Sequence, residues 1–266
     1  MALSQTTITA VTAAIPWVTA VHFHDDLAST SEEARRLARG GAAEGTVVVA
    51  DHQSGGHGRT GRPWYSPAGV NLYFSVVLRP HTLAPKYIPL ITLVAGVALC
   101  RGLQPLLGLH PARLKWPNDV QVEGRKVAGV LTEMSTTGSQ VDYVVVGIGV
   151  NCNHPAAMWP KELVGQAASL YEITGEVHPR EQVLFQLLSH LGAGYHRLLR
   201  GETAECMASW KRLAITLGQR VTVQRSQDTL VGVARDIDAS GALVVKRDDG
   251  TWETVVAGDL SVRPAE

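Results

Sequence analysis

Ten residues, Gly55-Gly56-His57-Gly58-Arg59-Thr60-Gly61-Arg62-Pro63-Trp64, restrict the fold of this chain more than any other segment. They follow a β-branched run, Thr46 to Ala50, that reads as a buried strand, and they contain G-x-G-x-x-G from Gly56 to Gly61. In a dinucleotide-binding fold that pattern opens a helix whose N-terminus faces pyrophosphate, and an acidic residue follows about twenty positions on. Here Pro63, Pro67 and Gly69 come next and no acid appears before Asp119, so the chain continues toward another strand. The G-x-x-x-x-G-K-[ST] pattern of a P-loop does not occur. What remains is a strand–loop–strand unit whose glycines let backbone N–H groups approach a ligand closely and whose two arginines offer planar forks to its oxygens.

Charge supports that reading. Residues 52–118 hold no Asp or Glu but carry Arg59, Arg62, Arg79, Lys86, Arg101, Arg113 and Lys115, in a chain with 24 basic and 24 acidic residues in all. A balanced protein that collects cations in one stretch suits a small, multiply charged anion such as a nucleotide; a nucleic-acid-coating domain would be basic overall. The alternative for the loop is a flexible surface segment with incidental arginines. With 45% hydrophobic and 18% charged residues, the chain is globular with a substantial core. Cys100, Cys152 and Cys206 form neither a disulfide framework nor a zinc pattern, and no Lys or Arg precedes Arg35 to start a secretory signal, so a cytoplasmic location is expected. The apolar run Tyr87 to Cys100 contains Pro89 and lies between Lys86 and Arg101; it reads as a buried helix too short to span a bilayer.

Residues 1–20 read as a short arm or leading strand. Ser29 and Glu32 predict a capping box for a helix that Gly40-Gly41 ends. Val70 to Leu78 predicts a strand with Leu72, Phe74, Val76 and Leu78 on the core face, followed by a helix over 85–106. Strands over 113–116, 127–134 and 142–150 follow as a meander with turns at Glu123-Gly124 and Thr137-Gly138. Helices are expected over 180–199 and 204–214. Beyond Leu217-Gly218, short alternating segments over 220–224, 229–236, 243–246 and 252–256 suggest a small β-barrel.

At this point the residues resemble a family. Gln53 with the loop Gly56 to Trp64, Lys115-Trp116-Pro117-Asn118-Asp119, Gly124-Arg125-Lys126-Val127-Ala128-Gly129 and Gly147-Ile148-Gly149-Val150-Asn151 resemble four successive motifs of the biotin protein ligases, over roughly residues 21–260. The resemblance implies an α+β fold: a mixed β-sheet flanked by helices (residues 21–216) with a small SH3-like β-barrel at the C-terminus (217–266). It implies ATP-dependent activation of biotin to biotinyl-5′-AMP with Mg²⁺, then transfer to one lysine of a carboxylase biotin-carrier domain.

The site residues come with it. Lys126, Arg59 and Asp119 are the implied catalytic residues, with Lys126 between the biotin carboxylate and the α-phosphate. Asp119 is the positional candidate for the base in the transfer step, with a structural Asx-turn as its other reading. Ser29, Thr30, Ser31, Gln53, Gly56, His57, Gly58, Arg59, Lys126 and Gly129 form the implied biotin site; Ser29 is equally the helix cap. Arg59, Arg62, Trp64, Lys115, Asn118 and Asn151 form the nucleotide site, with Trp64 stacking on adenine or closing the loop, or else simply a core residue. Two departures stand out: His57 is where Arg or Lys is commoner in the family, and Ala28 and Ser31 flank Ser29-Thr30 where it often has Asp and Asn. No protein metal site is expected, although His22 and His24 share a strand face. Lipoate attachment is the alternative within the fold. A non-catalytic biotin-binding module is disfavoured by Lys126 and the two arginines. No DNA partner is expected, since twenty residues ahead of the motifs cannot hold a helix-turn-helix, and no membrane partner; the strand edges leave a homodimer open.

Overall fold

The computed structural model describes residues 3–138, 140–224, 228–256 and 259–263. Strands β1 (Ala20–Leu27), β2 (Thr46–Gln53), β3 (Leu72–Leu78), β4 (Arg113–Lys115), β5 (Asp119–Val122), β6 (Arg125–Thr137) and β7 (Gln140–Val150) form one sheet in the order β1-β2-β3-β7-β6-β5-β4. β1 and β2 run parallel and every other pair is antiparallel, so the sheet is mixed. Helices α1 (Gln5–Thr12), α3 (Pro89–Leu107) and α5 (Arg180–Leu199) cover one face over a core that includes Leu72, Phe74, Val76 and Leu78. Helix α2 (Thr30–Arg39) covers the other, burying Ala34 and Ala38 against Val48, Val77 and Val145. A sheet buried on both faces explains the near-continuous apolar reading of β2 and β3.

Several expectations change. Residues 3–19 form neither arm nor strand but carry a helix: Ser4 and Thr7 close a capping box on α1, Ile8 is buried, and Gln5 donates to Val21 O and accepts from Phe23 N along the open edge of β1. Ser29 is the N-cap of α2 but makes no side-chain cap bond, so the expected capping box does not form; the N–H of Thr30, the first helical residue, donates to Gln53 Oε1 at 2.8 Å. β3 has no solvent face, since Asn71, Tyr73, Ser75 and Val77 are as buried as its core side. β5 is a strand that the meander reading omitted; at four residues its pattern is too short to separate from the Glu123-Gly124 turn, where both residues have φ near +52° to +76°. Helix α3 runs past Arg101 to Leu107, so a stretch over 85–107 is long and apolar enough to cross a membrane, and the argument from shortness fails. Its burial comes instead from packing on the sheet and on α5.

Helix α4 (Leu170–Thr174) and α6 (Thr203–Leu213) precede a second sheet of β8 (Arg220–Gln224), β9 (Thr229–Ile237), β10 (Leu243–Lys246), β11 (Trp252–Val255) and β12 (Asp259–Arg263), antiparallel in the order β11-β10-β9-β8-β12. Buried Trp116 joins the two sheets: its backbone N–H donates to Thr216 Oγ1 at 2.9 Å and its indole N–H to Gly241 O at 3.2 Å. The Trp116–Pro117 peptide is cis.

Candidate active site

A cavity of about 590 Å³ opens over β6 and β7 and is walled by the glycine loop, the α2 N-terminus and the segment between β7 and α4. That volume suits a small-molecule ligand of drug-like size. Of the residues selected from sequence, Ser29, Thr30, Ser31, Gln53, His57, Gly58, Arg59, Arg62, Trp64, Lys115, Asn118, Asp119, Lys126, Gly129 and Asn151 all line it. Gly56 does not, but it is packed close: a Cβ there would sit 2.6 Å from Ser66 Oγ and 2.9 Å from Gln53 Nε2.

The loop is a narrow hairpin. Trp64 N donates to Gly56 O at 2.8 Å, Gly58 N donates to Arg62 O at 2.7 Å, and Thr60 and Gly61 at the tip take positive φ of 56° and 72°. The hairpin presents Arg59 and Arg62 at the tip and turns Trp64 inward. The Trp64 indole lies on a glycine floor, where Gly129 of β6 pairs with Gly149 of β7; a Cβ at Gly149 would come within 2.4 Å of the ring. The Trp64 indole N–H is buried without a partner.

Lys126 stands at the centre. Its Nζ is 2.6 Å from Asp119 Oδ1 and 5.1 Å from the Trp64 ring centroid. Its backbone is held on both sides, since Lys126 N donates to Gln166 O and Lys126 O accepts from Ala168 N and Asn151 Nδ2. Asn118 Nδ2 donates to Val130 O at 2.8 Å, and Asn151 Nδ2 also reaches Ala168 O at 3.2 Å; each amide spends its N–H on the backbone and keeps Oδ1 as an acceptor. The opposite end holds Ser29, Thr30, Ser31 and Gln53, the three hydroxyl residues all buried.

Sequence reasoning missed part of the wall. Tyr65 and Trp159 line the cavity with buried His154 between them, the His154 and Trp159 rings stacked at 4.0 Å. Burial holds the His154 pKa below its ordinary value and neither ring nitrogen has a partner. Leu163, Gly165, Gln166 and Ala167 complete that wall. The 151–169 segment is irregular, and no periodicity marks it. Ser75 was also missed, although a serine in the middle of Leu72-Tyr73-Phe74-Ser75-Val76-Val77-Leu78 is a signal in itself. Behind the site, Arg180 pairs with Asp51 at 2.7 Å and donates to Asn71 O at 2.9 Å, tying α5 to the strand ends that carry Gln53 and the loop. His22 and His24 lie on the edge strand, and among the described residues no three His, Cys, Asp or Glu side chains gather to hold a metal.

The sequence profile of the Biotin/lipoate A/B protein ligase family matches residues 29–151, and that of the Biotin protein ligase C terminal domain matches 216–263. A biotin--[acetyl-CoA-carboxylase] ligase of Mycobacterium tuberculosis is 34% identical over 232 residues, covering 85% of this chain and 82% of that protein. The chain belongs to the biotin protein ligase family. The bifunctional ligase/repressor BirA of Bacillus subtilis is 35% identical over 228 residues, 86% of this chain and 70% of that protein. Among solved structures, the biotin protein ligase from Aquifex aeolicus in complex with biotin and ATP matches with a TM-score of 0.79 and 30% identity, covering 93% of this chain and all of that one. The ligase fold therefore extends over both sheets.

Proposed function

We propose that this chain joins biotin to ATP, releasing pyrophosphate and forming biotinyl-5′-adenylate, and then passes the biotinyl group to a lysine of a carboxylase biotin-carrier domain. The observation that supports this reading is a single cavity lined both by hydroxyl and amide side chains (Ser29, Thr30, Ser31, Gln53) and by the cations Arg59, Arg62, Lys115 and Lys126, with Lys126 Nζ 2.6 Å from Asp119 Oδ1. An acid with a polar ring at its far end, seated with its ring on Ser29, Thr30, Ser31 and Gln53, brings its carboxylate to Lys126. The division into a catalytic portion over 21–216 and a C-terminal portion over 217–266 belongs to the same reading.

In the first step a biotin carboxylate oxygen attacks the α-phosphorus and pyrophosphate leaves with the electron pair of the broken P–O bond. Two anions must meet, and charge grows on the phosphoryl oxygens; Lys126 neutralises it, Arg59 lies over the phosphate of the adenylate and retains it, and Arg62 and Lys115 hold the departing phosphates. Magnesium enters with ATP. Asp119 is the one carboxylate lining the cavity among the described residues and is already engaged by Lys126, so Asn118 and Asn151 Oδ1 are the protein oxygens that would help hold the ion, which would offset the phosphates' charge. In the second step a neutral carrier lysine attacks the acyl carbon and AMP leaves. When Lys126 turns to the adenylate, Asp119 is released to accept the lysine's proton, which must be removed from a group of pKa about 10.4.

Lipoate fits this cavity poorly, because a dithiolane ring offers no donor or strong acceptor to the hydroxyl end. Three free cysteines, two of them buried, suit the reducing cytoplasm. The test is mass spectrometry of a biotin-carrier domain of acetyl-CoA carboxylase incubated with the protein, Mg-ATP and either biotin or lipoate. An ATP-dependent, biotin-sized gain is expected. A lipoate-sized gain on a lipoate carrier alone, or no pyrophosphate release from folded protein, would overturn the reading.

A further inference from the structure

We propose that Ser75, which does not line the cavity, is a positioning residue that fixes the proton order of a hydrogen-bond chain, so that Ser31 Oγ faces the ligand as an acceptor and selects a ring N–H at one position. This deepens the biotin reading above and rests on it.

The chain runs through six groups. Ser31 Oγ lies 3.1 Å from Ser75 Oγ, and Ser75 Oγ lies 2.8 Å from Thr30 Oγ1. Thr30 Oγ1 is 3.2 Å from Gln53 Oε1, Gln53 Nε2 is 3.1 Å from Ser66 Oγ, and Ser66 Oγ is 2.9 Å from Trp64 O. Hydroxyl direction is open in a pairwise view, but here one backbone contact sets it. The Thr30 N–H donates to the Gln53 side chain at 2.8 Å, so the atom it meets must be the carbonyl oxygen and the amide can point only one way. Gln53 Nε2 then donates to Ser66, whose hydroxyl donates to the Trp64 carbonyl.

In the other direction, Thr30 Oγ1 faces the same Gln53 carbonyl oxygen. Were its proton turned toward Ser75, two lone-pair oxygens would oppose each other at 3.2 Å in a buried site, an unfavourable arrangement. Thr30 therefore donates to Gln53 and accepts from Ser75. Ser75, with its one proton committed to Thr30, accepts from Ser31. The Ser31 hydroxyl proton is thus spent inward, and only lone pairs remain toward the cavity.

Glycines stand at both ends of the chain where a side chain would break it. A Cβ at Gly147, paired with Ser75 across β3 and β7, would come within 2.4 Å of Ser31 Oγ; one at Gly56 would come within 2.6 Å of Ser66 Oγ. Ser75 is fully buried in a strand whose other residues are apolar apart from the Tyr73 hydroxyl, so packing alone gives no reason for its hydroxyl. The acceptor it imposes matches a cyclic urea, which carries two N–H groups, only one of which can face Ser31.

The test is calorimetric binding of biotin and of its two cyclic-carbamate regioisomers, each with one ring N–H replaced by oxygen, to the full chain and to Ser75→Ala. In the parent protein one regioisomer is expected to bind about tenfold to a hundredfold more weakly than biotin, because an oxygen would oppose the Ser31 lone pairs. In Ser75→Ala, Ser31 can reverse its proton, and that penalty should fall to within about threefold while the other regioisomer keeps its ratio. A purely structural role would weaken all three ligands together and leave the ratios alone; that result overturns the proposal, as does a parent that treats both regioisomers equally. Should Ser75→Ala not fold, Ser31→Ala removes the acceptor itself and must lose the same discrimination, and its retention is equally decisive. A folded parent that does not bind biotin would remove the functional reading, and this inference with it.

Discussion

The two ends of the cavity are built on opposite principles. At the closed end Ser29, Thr30 and Ser31 are buried, and the hydrogen bonds that order Thr30, Ser31 and Gln53 are complete before any ligand arrives. At the open end Arg62 is exposed on a hairpin tip whose backbone is held by two cross-strand hydrogen bonds below it. Buried dipoles can be aimed in advance and lose affinity steeply when a partner is missing. Cations kept near water can move onto phosphates that enter and leave on every turnover. Selectivity therefore belongs to the first end and the capture and release of phosphates to the second, with Lys126 serving both.

The largest effect should come from removing the residue the ends share. Lys126→Ala is expected to lower adenylate formation about 10²- to 10³-fold at saturating biotin and ATP, read by ATP–pyrophosphate exchange. A rate within tenfold of the parent would move Lys126 out of the transition state and collapse the contrast. Thr30→Val breaks the closed end alone, leaving Ser75 without its acceptor; the KM for biotin should rise about tenfold with kcat nearly constant. If kcat falls instead, that end is catalytic and the division of labour is wrong. Arg59→Gly breaks the open end alone. Adenylation should stay within several-fold of the parent while free biotinyl-adenylate leaks into solution a few times faster, measured by chromatography of the filtrate; unchanged release would show that the hairpin arginine retains nothing.

The smallest effect concerns the scaffold beneath both ends. Burial lowers the pKa of His154, His178 and His190 below their ordinary value of 6.5. The unfolded chain then takes up protons first as pH falls through about 6.5, so the folded state loses stability below that point and is unaffected above it. The Tm at pH 5.5 should lie a few degrees under that at pH 7.5 by circular dichroism. Equal values would mean that these rings titrate alike in both states.

What the sequence disclosed follows from range of interaction. Helix α5 was readable to the residue because a single apolar stripe and a Pro179 start define it locally. The site residues were readable because glycine, arginine and lysine cluster in short motifs. The failures came where a distant partner outcompeted a near one. Ser29 and Glu32 have the spelling of a capping box that does not form, and the first amide of the helix, Thr30 N–H, is instead held by Gln53, more than twenty residues away. Likewise nothing near Trp159 or Gln166 announces that they will wall the cavity, since their placement depends on Tyr65, His154 and the backbone of Lys126.

Trp116 bears on how such proteins can be recombined. Its backbone precedes Pro117-Asn118-Asp119 in the cavity wall, while its indole N–H is received by a carbonyl at Gly241 in the second sheet. A chimera that grafts a relative's C-terminal segment onto this chain must bring a carbonyl to the place of Gly241 and a hydroxyl to that of Thr216. Otherwise it leaves two donors stranded beneath Asp119. The two segments are interchangeable in outline but inherited as a matched pair.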